Sequence, residues 1–301
     1  MSTLTTSAGT LAYDSRGEGD PVLLLPSGGH VQRDYDEVRA LLPAGLHSIG
    51  VDWPGHGHSP AATAPVTEAS LAQSVEELLE QLAPHGAVLV GNSVGGNVAT
   101  RLAIRRPDLV KGLMIIDGGG FEGSGDFAVA GDAGESDADE NTKNAAGAAR
   151  VKAADFPARV FCALMSRPRF VRLVYPLFSH LYTRPRTAAD RRARADAIAV
   201  TRTGPGVRAV TGIWHSFTFP EHDLRPRAGA ITIPTVIVWG RHDPVIPLRA
   251  AETARDLIQG SKLVVVDSGH LPHTTDPAAV AAELTALART AFHGSSLGAD
   301  A

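Results

Sequence analysis

Cysteine is nearly missing from this chain. Cys162 is the single thiol in 301 residues, so no internal disulfide can form, and the composition suits a reducing compartment. Cys162 lies in an apolar stretch and is expected to pack rather than react. Long apolar runs are missing too: none approaches the ~20 residues of a membrane helix. Met1 to Gly19 lacks the basic start and apolar run of a secretory leader, so a cytoplasmic protein without a membrane partner is expected. There is no surplus of positive charge. The net charge is −4, which gives no broad pull toward nucleic acid. A phosphate-binding loop lysine motif is absent. Gly55-His56-Gly57 lacks the third glycine and the following helix of a dinucleotide fingerprint. No internal repeat is visible.

What is there is a succession of short apolar runs bounded by breakers, the pattern of strands buried on both faces. Val22–Leu25, Leu46–Val51, Ala87–Val90, Val110–Ile116, Thr235–Trp239 and Lys262–Val266 read as such strands, with Thr10–Tyr13 as an edge strand before them. Between them lie helical patterns. Thr67 can cap a helix whose Leu71, Val75, Leu78, Leu79 and Leu82 form one stripe. Further helices are expected near Tyr35–Leu42, after Ser93, at Leu248–Ile258 and from about Pro277 to Phe292. Strand and helix in alternation predict right-handed crossovers and a parallel sheet covered on both faces.

Two stretches break this rhythm. From Gly118 to about Gly147 the chain is rich in Gly, Ala, Asp and Glu, with little apolar periodicity. From Ala148 to Phe219 it becomes helical and aromatic. Aromatics are only 5% of the chain, yet eight of the nine Phe fall between Phe121 and Phe219, with Tyr175, Tyr182 and Trp214.

The most informative stretch is Gly91-Asn92-Ser93-Val94-Gly95-Gly96. It joins an apolar strand to a helix carrying Val94, Val98 and Leu102. A serine at such a turn is forced into a strained conformation. Glycines two residues either side leave room for the tight crossing. The hydroxyl is lifted off the sheet edge, in front of the N–H groups that open the helix. A serine hydroxyl is a weak nucleophile. It needs a base to take its proton and an acid to orient that base. Strand ends further along supply both types. Asp243 stands in Gly240-Arg241-His242-Asp243-Pro244, and His270 in Asp267-Ser268-Gly269-His270-Leu271-Pro272-His273. Asp117, which also ends a strand, is a rival acid.

On these motifs the chain resembles the α/β-hydrolase family, in its serine-nucleophile, lidded branch. The resemblance implies a mostly parallel eight-stranded sheet with helices on both faces. The core would comprise residues 1–117 and 230–301, and an inserted helical lid residues 118–229. It implies a catalytic Ser93, Asp243 and His270 in that chain order, with Asp243 preferred to Asp117 for its loop context. His273 is then a surrounding or surface residue. The oxyanion hole would use the backbone N–H groups of Val94 and Gly28, although Pro26-Ser27-Gly28 departs from the family's usual His-Gly pair. Asn92, Trp214 and Phe217 are the expected pocket residues. The Asp52-Trp53-Pro54-Gly55-His56-Gly57-His58-Ser59 loop resembles the family's scaffold beside the site. Its two histidines are followed by Ser59-Pro60-Ala61, which offers neither the acid nor the further His of a metal centre. No metal and no cofactor are expected.

The activity so implied is hydrolysis of a small, largely apolar ester or related carbonyl compound through an acyl-enzyme. The same fold leaves three other readings open. They are carbon–carbon bond hydrolysis of a diketone-type compound, cofactor-independent oxygenation with the His–Asp pair as base, and a non-catalytic small-molecule receptor. Haloalkane and epoxide hydrolysis would want Asp at position 93. Substrate identity and oligomeric state are not legible at this level.

Overall fold

A computed structural model of the chain describes residues 1–122 and 160–294. Eight strands form one sheet: β1 Ser2–Thr6, β2 Gly9–Arg16, β3 Gly19–Leu25, β4 Gly45–Asp52, β5 Ala87–Asn92, β6 Val110–Ile116, β7 Thr235–Gly240 and β8 Lys262–Val266. Their order across the sheet is β1-β2-β4-β3-β5-β6-β7-β8. β1 and β2 run antiparallel to their neighbours, and every pairing from β4 to β8 is parallel. The chain thus has the α/β-hydrolase fold. β1 has no counterpart among the apolar runs. Ser2-Thr3-Leu4-Thr5-Thr6 is polar and mostly exposed, as an edge strand can be.

The parallel strands bury alternate residues in two separate cores. Leu23, Leu25, Leu89, Leu113, Ile115, Ile237 and Trp239 face one side. Helices α1 Asp36–Leu41, α2 Glu68–Leu82 and α3 Val94–Arg105 have been formed by this point in the chain. Of these, α2 and α3 cover that first side, through Leu71, Val75, Leu78, Val98 and Leu102. Val22, Leu24, Val88, Val90, Met114, Ile116, Val236 and Val238 face the other side. The α2 start is a reciprocal cap: Thr67 Oγ1 accepts the Ser70 N–H at 3.1 Å, and Ser70 Oγ accepts the Thr67 N–H at 2.9 Å.

Between β6 and β7 the described residues add three long helices, α4 Pro168–Thr183, α5 Ala188–Arg202 and α6 Gly204–Ser216. They carry a third apolar cluster of their own, including Cys162, Met165, Val171, Tyr175, Val207, Val210 and Trp214. Cys162 is buried in it, and burial pushes its thiol up to about 11, so it is a packing residue. Most of the Gly-, Ala- and Asp-rich stretch lies outside the described residues. After β7 come α7 Leu248–Leu257 and α8 Pro277–His293. α7 joins the first core through Ala250, Ala251 and Ala254, and α8 closes the second through Val280, Leu284 and Leu287. Among the described residues no helix is long and apolar enough to cross a membrane.

Candidate active site

Ser93 stands between β5 and α3. Its N–H still donates to Ile116 O at 2.9 Å, as if the ladder continued. Its φ of +56° and ψ of −115° then turn the chain into the helix, a conformation costly to any residue with a Cβ. The flanking glycines are required by contact. A Cβ on Gly91 would lie 2.1 Å from Gly95 O, and one on Gly95 would lie 2.3 Å from Leu25 O.

Asp243 follows β7. Its Oδ1 accepts the N–H groups of Val245 at 2.7 Å and Ile246 at 3.2 Å, which fixes the carboxylate and leaves Oδ2 for another donor. That donor is His270 Nδ1 at 2.6 Å. With Nδ1 committed to the carboxylate, Nε2 is the nitrogen left to take a proton. The backbone of His270 is held from two further sides. His270 N–H donates to Tyr182 O at 2.9 Å, and the His270 carbonyl accepts from Asn92 Nδ2 at 3.0 Å. Ser93, His270, Gly28 and Val94 line one cavity, roofed by Tyr175, Phe178, Tyr182, Trp214 and Phe217.

The loop carrying Gly28 is a tight turn closed by the His30 N–H donating to Ser27 O at 3.1 Å. Gly29 has a φ of +89°, which the third position of such a turn demands. A Cβ there would also lie 2.3 Å from Tyr175 Oη. The scaffold loop after β4 holds this turn. Trp53 Nε1 donates to Pro26 O at 2.9 Å, and the Gly29 N–H donates to His56 Nε2 at 3.0 Å. Burial lowers His56 to about 4, against the hydrogen bond to Pro54 O, so it is a neutral acceptor. The Gly29 N–H is thus bonded, while Gly28 lines the cavity.

Asn92 differs from expectation. It is fully buried, and its amide donates to the carbonyls of Ile116, at 3.1 Å, and His270. It therefore braces the backbone of His270 instead of lining the cavity, whereas Trp214 and Phe217 do line it. His273 is not at the surface but buried, stacked on Tyr35 with ring centroids 4.4 Å apart. Burial lowers it to about 3.

Asp117 and Asp243 turn out to be neighbours. Asp117, Asp243 and His270 each bring one ligand-type atom within 4.8 Å of the others. The 2.6 Å contact between Asp243 and His270 is too short to have an ion between its two atoms. Asp117 is fully buried, with Oδ1 accepting the Gly240 N–H at 2.8 Å. Burial, then the Asp243 charge, push its carboxyl well above the usual range, so it is a neutral acid.

Two polar clusters escaped the sequence reading. His222 lies between Glu68, with Nδ1 to Oε2 at 2.9 Å, and Glu122, with Nε2 to Oε1 at 2.7 Å. Both His222 and Glu122 line the cavity. Burial alone would lower His222, but the two carboxylates outweigh it and raise the imidazole to about 10. The second cluster joins Asp34, His30, Tyr182 and Tyr175. The four are scattered in sequence, and only His30 and Asp34, four residues apart, give a local hint.

With this geometry in view, the comparisons with known proteins agree. The family model of the alpha/beta hydrolase fold matches residues 20–277, and the chain belongs to that family. It is 28% identical over 278 residues to a putative carbamate hydrolase RutD of Variovorax paradoxus, covering 90% of this chain and 92% of that one. It is 25% identical over 279 residues to the pimeloyl-[acyl-carrier protein] methyl ester esterase of Vibrio vulnificus, covering 92% and 98%. The enol-lactonase structure from Burkholderia xenovorans LB400 superposes with a TM-score of 0.74 at 19% identity, covering 95% of this chain and 99% of that one. The chain is a hydrolase by these relationships.

Proposed function

We propose that this hydrolase works through an acyl-enzyme on Ser93, with a small, largely apolar ester or related carbonyl compound as substrate. His270 takes the Ser93 proton as the oxygen attacks the carbonyl. Asp243 holds the imidazole in the required tautomer and offsets the charge it gains. The backbone N–H groups of Val94 and Gly28 receive the oxyanion. His270 returns the proton to the leaving group, and water then releases the acyl group. No cofactor is needed for any of these steps. The helices between β6 and β7 act as the lid over an apolar acyl pocket.

The observation that carries this reading is the 2.6 Å bond from His270 Nδ1 to Asp243, on an imidazole that shares its cavity with a strained serine. An ester-hydrolysing relative that covers nearly the whole chain supports it. A fluorophosphonate probe, followed by peptide mass spectrometry, tests it. Labelling at Ser93 is expected, together with loss of ester hydrolysis in Ser93→Ala. Full hydrolysis by Ser93→Ala, or folded protein that takes no label, would refute it.

A further inference from the structure

The roof of the cavity holds a chain of polar groups that an apolar acyl pocket does not require. Asp34 Oδ2 meets His30 Nδ1 at 2.6 Å, His30 Nε2 meets Tyr182 Oη at 2.7 Å, and Tyr182 Oη meets Tyr175 Oη at 3.2 Å. All four residues are buried. Tyr175 and Tyr182 lie seven residues apart on α4, and both line the cavity with Ser93 and His270. Phe178 lies between them on the same face, with ring centroids 6.1 Å from Tyr175 and 5.0 Å from Tyr182. That phenylalanine shows what suffices for packing here. Each added hydroxyl costs desolvation unless it is paired, and pairing Tyr182 has required a buried histidine and a buried aspartate behind it.

The chain runs out at Tyr175. Among the described residues, its hydroxyl makes one further bond beyond Tyr182, a long one to Gly28 O at 3.4 Å. A phenol offers one proton and two lone pairs; with Tyr182 donating to it, the Tyr175 hydroxyl has only the long Gly28 contact for its own proton, which can turn to an acceptor oxygen in the cavity that Tyr175 lines. Its position is close to the chemistry. Gly28 belongs to the proposed oxyanion loop, and the Tyr182 ring stands edge-on to His270, with centroids 5.9 Å apart.

From this geometry we infer that Tyr175, oriented through Tyr182, His30 and Asp34, is a binding subsite for an oxygen atom on the substrate's acyl chain, one to a few bonds from the scissile carbonyl. The preferred substrates are thus oxygen-bearing acyl compounds, with an ether, hydroxyl or oxo group, rather than plain hydrocarbon esters. Tyr175 contacts the substrate. Tyr182, His30 and Asp34 are positioning residues. The inference rests on the proposed acyl-enzyme reading for its location, but it can be tested apart from it.

The test uses two near-isosteric pairs of p-nitrophenyl esters: methoxyacetate against butyrate, and 4-oxopentanoate against 4-methylpentanoate. For each pair, kcat/KM of the oxygenated ester is divided by that of its partner, in the wild type, Tyr175→Phe and Tyr182→Phe. Intrinsic reactivity cancels when the wild-type ratio is divided by the variant ratio. One lost neutral hydrogen bond should give a double ratio of about three to ten for at least one pair, larger for Tyr175→Phe. Loss of packing alone would slow both members of a pair equally. Double ratios of one for both pairs, in variants with an unchanged thermal midpoint, would overturn the inference. The Ser93 reading is judged separately, by the fluorophosphonate label, even if the wild type hydrolyses none of the four esters. The same double ratios are then read from dissociation constants, by quenching of Trp214 in the cavity wall. The outcomes carry the same meaning.

Discussion

His222 makes folding stability depend on pH in a way that can be worked out. Its imidazole stands at about 10 in the folded chain against an ordinary 6.5, because Glu68 and Glu122 reverse the effect of burial. The sign follows from the direction. A group whose folded value is raised gives its full stabilisation below 6.5 and loses it as the pH climbs toward about 10. At 1.36 kcal/mol per pH unit, rounded at the lower end where the unfolded imidazole is still half protonated, the loss from pH 6.5 to 8.5 is about 2 kcal/mol. Urea unfolding followed by circular dichroism at pH 6.5, 7.5 and 8.5 measures this directly. His222→Gln cannot titrate, so subtracting its pH dependence removes the groups outside the Glu68–His222–Glu122 cluster. The wild type should lose about 2 kcal/mol more than the variant across that range. Parallel curves would refute the reasoning, because they would mean that His222 is not a buried cation between two carboxylates.

Asp243→Asn should keep the fold but lower kcat by about 10⁴, since an amide does not hold the imidazole in the tautomer needed; a loss under about tenfold, measured with the best ester, would remove Asp243 as the acid. Asp117→Asn keeps the acceptor for the Gly240 N–H and tolerates the residue's φ of +42°. Because the Asp117 carboxyl is held well above 3.8, the wild type loses stability as the pH rises past that value and the unfolded chain ionises. The variant should therefore gain on the wild type between pH 4 and pH 7 in denaturant titrations. A difference that stays flat with pH would show that Asp117 is ionised in the fold.

Where burial on both faces forces a continuous apolar run, as in Val22–Leu25 or Ala87–Val90, the strand was legible in the sequence. Where the environment is half solvent, as at Ser2–Thr6, no such run is imposed, and β1 could not be read. The serine turn was legible because Gly91 and Gly95 are required by contacts under 2.5 Å to atoms only a few residues or one strand away. Asn92 was misjudged because adjacency to Ser93 along β5 says nothing about which way an alternating side chain points. Asp117 and Asp243 looked like competitors for one role. Both end neighbouring strands, β6 and β7, so the sheet brings them together, and burial beside Asp243 keeps Asp117 a neutral acid. The Tyr175–Tyr182–His30–Asp34 chain was out of reach, because it joins residues as far as 152 apart through side chains. In sequence, α4 shows only aromatic rings at helical spacing.

The roof over the cavity is fastened to the floor beside the His270 imidazole. The last turn of α4 receives the His270 amide through the Tyr182 carbonyl. Just beyond, Asp190 Oδ1 takes the hydroxyls of Thr274, at 2.6 Å, and Thr275, at 3.0 Å, four and five residues past His270. Any swing of the helical layer about this corner carries His270 with it. Where α6 brings Trp214 and Phe217 together over the same cavity, with ring centroids 5.2 Å apart, the contact is one of aromatic edges rather than of hydrogen bonds to the floor.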